Sequence, residues 1–110
     1  MECYENYLVF YLSGSGISGK AAKEILAFAS DHYEKRPYVF ISNRALPSDI
    51  DPAAYKAIDS RAMVGLAIVS ESEAVRNEAM VEMDMYDGSF SYFKTVDEAI
   101  EWAKTVIREV

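Results

Sequence analysis

Tyr7-Leu8-Val9-Phe10-Tyr11-Leu12, running into Ser13-Gly14-Ser15-Gly16-Ile17-Ser18-Gly19-Lys20, is the stretch on which the reading of the fold turns. In an extended chain, Leu8, Phe10 and Leu12 point to one side and Tyr7, Val9 and Tyr11 to the other. A strand apolar on both faces belongs inside a sheet that is covered on both sides. After the glycine- and serine-rich break the period changes. Ala22, Ile25, Leu26, Ala29 and Tyr33 make a helical stripe from about Ser18 to Lys35, and Pro37 ends it.

The same strand-then-helix unit recurs outward along the chain. Tyr38–Ile41 reads as a second strand, and Asp51-Pro52 gives the next helix an acidic N-cap followed by proline at its first position. Tyr55, Ile58 and Ala62 would face inward from that helix. Val64–Val69 is a third strand, apolar throughout. A helix from Ser72 to Met85 follows, with Val75, Ala79 and Met83 in register, and Asp87-Gly88 turns the chain. Phe90–Phe93 is short and carries Ser91, which suits an edge strand. Thr95 and Glu98 form a capping box ahead of a last helix with Ala99, Ile100, Ala103, Ile107 and Val110 on one face.

Strict alternation of this kind predicts a single α/β domain over residues 1–110, built on a four-stranded, mainly parallel sheet. Right-handed crossovers and two covered inner strands give the expected strand order 2-1-3-4. That order reverses direction between strands one and three. A ligand would sit beyond the strand ends at the reversal, near Ser13, Ser15, Ser18, Ser70 and Ser72, with Ser42 and Asn43 close by. Those hydroxyls equally suit helix capping.

The 110 residues carry a formal net charge of -7, and the last forty hold ten acids against four bases. Such a field opposes nucleic acid and anionic membranes and favours a basic partner surface or a plain solvated face. One cysteine, Cys3, forms neither an internal disulfide nor a metal cluster. With no leader and no long apolar run, the chain reads as cytoplasmic.

Gly14, Gly16 and Gly19 fit the dinucleotide-loop spacing GxGxxG, and Gly14, Gly19 and Lys20 fit the P-loop spacing GxxxxGK. Both motifs cradle phosphate on backbone amides at a helix start. Against them, Ala21 stands where the P-loop needs a hydroxyl for magnesium, and the second strand ends Ile41-Ser42-Asn43-Arg44 without an acid. Gly14, Ser15, Gly16, Gly19 and Lys20 are therefore kept as candidate phosphate-binding residues beside the alternative of simple turn chemistry. His32, the sole histidine, must serve any catalytic scheme; beside Asp31 in the last turns of the first helix it reads as a surface histidine favoured by the helix dipole rather than as a general base, and no metal-ligand spacing is present. Glu78 and Glu82 are expected to face solvent. Met80, Met83 and Met85 either fill the core or form an adaptable contact surface.

The run VFISNRALPSDIDPAAYKAI (39–58), the strand Val64–Val69 and the ending Phe93-x-Thr95-x-x-Glu98-Ala99-x-x-Trp102 resemble the STAS superfamily, closest to its SpoIIAA-like branch of small bacterial proteins. The similarity covers about residues 7 to 107. It implies a non-enzymatic regulatory module that binds a protein partner. In the antagonist branch, phosphorylation of a serine after the aspartate at the second helix start controls docking. Here Pro52 follows Asp51, so that switch has no acceptor. The family often adds an antiparallel first strand, for which Met1–Asn6 offers at most a stub. The expected docking face is Asn43, Arg44, Ser48, Asp49 and Asp51, with Arg44 as donor; Ser48 and Asp51 also suit plain capping. Other readings are a phosphate binder using Gly14–Lys20, or a carrier of an apolar ligand in a pocket between the third helix and the sheet. Outward-facing Tyr4 or Tyr92 would support a weak homodimer. No cofactor is expected.

Overall fold

A computed structural model of the chain describes residues 1–12, 16–34, 36–45 and 49–109. Its elements in chain order are β1 (Glu2–Cys3), β2 (Tyr7–Leu12), β3 (Gly16–Ile17), α1 (Gly19–Tyr33), β4 (Tyr38–Arg44), β5 (Asp49–Ile50) and α2 (Pro52–Lys56). They continue with β6 (Met63–Val69), α3 (Glu73–Glu82), a single 3-10 turn at Met83–Met85, β7 (Ser89–Phe93) and α4 (Val96–Arg108).

The α/β class is as expected, but the strand order is not. The main sheet has five strands in the order β1-β2-β4-β6-β7. β2, β4, β6 and β7 are parallel, and β1 pairs antiparallel with β2, Glu2 opposite Val9 and Cys3 opposite Leu8. The expected order 2-1-3-4 is therefore corrected: each long strand lies beside its predecessor, and the direction never reverses. The crossover rule fixes handedness but not order. β2 is an inner strand, as its composition requires, because the two-residue β1 flanks it. Among the described residues no reversal crevice forms.

The layering follows from this order. Three successive right-handed steps in one direction place α1, α2 and α3 on the same face. Leu8, Phe40, Leu66 and Ile68 form one core there with Ala29 and Tyr33 of α1, Tyr55 of α2 and Val75 and Ala79 of α3. On the other face, Val9, Val39, Ile41, Ala67 and Val69 pack against Ala99, Ala103 and Val106 of α4. α4 lies over β4, β6 and β7, so Tyr11 on β2 stays 52% exposed. Gly65 permits this close approach, since a Cβ there would meet Val39, Val106 and Trp102 at 3.2–3.4 Å.

The helix ends have local causes. Ser18, Ser72 and Thr95 cap α1, α3 and α4 by accepting from Ala21, Val75 and Glu98 amides. α1 ends on Glu34 in the left-handed region, φ 51°. α2 is shorter than expected: Asp59 Oδ1 accepts from the Arg61 amide at 3.0 Å and starts a turn, so Ile58 and Ala62 reach the core from outside the helix. No helix among the described residues is long and apolar enough to cross a membrane.

Candidate functional site

The polar end of β4 is where the structure departs most from the expected site. Strand periodicity carries Phe40, Ser42 and Arg44 onto the helix-covered face. Both Ser42 and Arg44 are 3% exposed. On α3 the buried positions are Val75, Ala79 and Glu82. Glu82 thus takes the inward position expected for Met83, and the 3-10 turn that begins at Met83 leaves that methionine exposed.

These residues form one buried network. Arg44 Nη1 and Nη2 donate to Glu82 Oε2 and Oε1 at 2.6 and 2.8 Å, a bidentate pair, and Nε donates to Ser42 Oγ at 3.1 Å. Tyr55 Oη of α2 donates to Glu82 Oε1. Burial works against the charge on Arg44, but the hydrogen bond and charge of Glu82 outweigh it and raise its pKa. Burial first, and then the Glu82 carboxylate, push the Tyr55 hydroxyl well above its ordinary value. Arg44, assigned above as an outward donor, is thus turned inward. Glu82, expected in solvent, is its counterion. The arrangement is a neutral, hydrogen-bonded clamp joining β4, α2 and α3.

A cavity of about 60 Å³ opens beside the clamp between α1, α2 and the sheet. Ile25 and Leu26 of α1, Ile58, and Met63 and Leu66 of β6 give it apolar walls, and Ser42, Arg44 and Tyr55 close its polar end. This pocket lies under the first two helices, whereas the carrier reading places its own between the third helix and the sheet.

The two loops singled out in the sequence meet. Gly16 pairs with Asp49 and Ile17 with Ile50 in the two-stranded ribbon β3–β5. Gly19 begins α1 against α2: a Cβ there would lie 3.0 Å from that of Ala53. Gly16 is thus in extended, paired backbone and Gly19 at a helix–helix contact, while Lys20 is exposed. Asp51 is exposed and accepts from the Ala53 amide at 2.9 Å, capping α2. Asn43 is half-buried at a groove with Ser70, Ser72 and Lys94. Gly14, Ser15 and Ser48 lie outside the described residues. The Ser70 hydroxyl accepts from the Ser72 amide, and the Ser72 hydroxyl caps α3, so both act within their own loop.

Sequence reasoning missed Ser42, Tyr55 and Glu82 as one cluster. Two signals pointed to it: the two-residue spacing 40-42-44 and the helical spacing 75-79-82. No group of three or more histidine, cysteine, aspartate or glutamate side chains among the described residues is placed to hold a metal. His32 is exposed in the last turn of α1. Met80, Val81 and Met83 are 51%, 66% and 44% exposed at the end of α3. Tyr4 is exposed, whereas Tyr92 is half-buried and donates to the Ser70 carbonyl. No protein-family model, curated protein or solved structure matches this chain.

Proposed function

We propose that the chain is a non-enzymatic regulatory module that works by docking a protein partner, as the STAS resemblance implies, without a phosphoacceptor at Pro52. The observation that carries this reading is the exposed trio Met80, Val81 and Met83 on the last turn of α3 and the 3-10 turn after it. Flexible thioethers suit an adaptable protein contact. Exposed Asp84 and Asp87 follow the trio, against one exposed base on the helix, Arg76, so the fitting partner is apolar-tipped and basic. Asp51 stands exposed beside Pro52 and is kept as a second candidate contact. Arg44 is withdrawn from the docking face because its guanidinium is held inside.

The test is site-specific photocrosslinking in the host cell, with the crosslinker at Val81 and, as a control, at exposed Lys104. A discrete protein adduct at Val81, absent at Lys104 and lost in Met80→Ser/Met83→Ser, is expected. Equal labelling at both positions, or none at Val81, defeats the reading.

A further inference from the structure

The pocket beneath α1 and α2 combines two properties that packing alone does not require: unfilled volume, and a cation at one end of apolar walls. Its roughly 60 Å³ would accommodate on the order of four waters, or a chain of about four or five heavy atoms. Among the described residues the walls are apolar, and polar partners for water lie at the Arg44 end.

The lining shows which charge a guest would meet. Arg44, Ser42 and Tyr55 face the pocket, and Glu82 is not among the walls. A guest therefore meets Arg44, Ser42 and Tyr55 rather than Glu82. Arg44 carries five N–H groups; among the described residues three are directed at Glu82 and Ser42, and the guanidinium also interacts with the Tyr55 hydroxyl. Ser42 Oγ accepts from Arg44, which leaves its own hydroxyl proton to be donated. Arg44 and Ser42 thus supply the donors at this end of the pocket, Tyr55 spending its own proton on Glu82, while Arg44 and Glu82 together are neutral. A charged carboxylate entering here would leave one uncompensated negative charge in a buried cluster, which is costly. A neutral carbonyl accepts the same hydrogen bonds and adds no charge.

We infer that this pocket is a binding site for a short, neutral, apolar molecule carrying one carbonyl oxygen, with the chain against Leu26, Ile58 and Leu66 and the oxygen on Arg44 and Ser42. The lining shares no residue with the exposed trio Met80, Val81 and Met83 on α3.

Methyl-detected NMR titration of the intact chain tests it, reading Ile25, Ile58 and Met63. The probes are butyramide, butyrate and 1-chlorobutane, which share a similar length and differ in the head. Butyramide is expected to shift these methyls and to bind about three- to tenfold more tightly than 1-chlorobutane, the range of one net hydrogen bond, and more tightly than butyrate. Ala22→Leu, which adds bulk to the pocket wall, should abolish the shifts while the Val106 methyls on the opposite face keep their positions. Ser42→Ala should narrow the gap between butyramide and 1-chlorobutane. Absence of pocket shifts, equal affinity for all three probes, or tighter binding of butyrate overturns the inference. The comparison on the unaltered chain decides the matter even where a variant folds poorly.

Discussion

Arg44 and Glu82 show how strongly one buried pair constrains this chain. Removing one partner strands the other's charge away from water, so Glu82→Ala is expected to cost about 3–5 kcal/mol in urea denaturation. The double change Arg44→Met/Glu82→Leu should cost clearly less than either single change, because it removes both desolvation penalties. Tyr55→Phe removes a hydrogen bond to a charged group and should cost roughly 2 kcal/mol. The pair was only half legible in the sequence. Ser42-Asn43-Arg44 looks like the start of a loop, since polar residues usually leave the sheet. Only the alternation from Phe40 reveals that positions 42 and 44 stay on the covered face. Glu82 was hidden for a related reason. A charged residue at an inward helical position is read as outward unless its counterion is already known, and that counterion lies 38 residues away.

Elements were more legible where a local chemical signal marks them. Thr95 and Glu98 announced the start of α4, and Thr95 Oγ1 indeed accepts from the Glu98 amide at 3.2 Å. Thr95→Ala should lower stability by about 1 kcal/mol, measured by thermal or urea unfolding. The seat of α4 depends on a missing side chain. In Gly65→Ala the new methyl would press on Val39, Val106 and Trp102, and a loss of about 1–3 kcal/mol is expected from overpacking, with altered Trp102 fluorescence as a second readout. The order of the strands was not legible, because crossover handedness and strand burial are satisfied by more than one arrangement. The short β1 decided it: two residues suffice to make β2 an inner strand, and so few residues carry almost no pattern.

At the scale of the whole molecule, the tyrosines set an alkaline limit. Tyr33 is fully buried, donates to the Tyr4 and Tyr7 carbonyls at 2.9 and 2.6 Å and stacks on Tyr38 at 4.7 Å. Burial pushes both Tyr33 and Tyr38 up to about 12 from an ordinary value of 10.0. The unfolded chain therefore loses these protons first. Their contribution to stability is complete below about pH 10 and disappears as the pH rises toward 12. Urea midpoints should fall across that interval, and tyrosinate absorbance should show a late, cooperative ionisation that coincides with unfolding. The two faces of the sheet also differ in when they can be completed. Everything on the first face is in place once β7 has been made, whereas the opposite face waits for the 13 residues of α4. A nascent chain stalled just before that helix would own every strand and three helices, and would still display a bare row of valines and an isoleucine to the cell's chaperones and proteases.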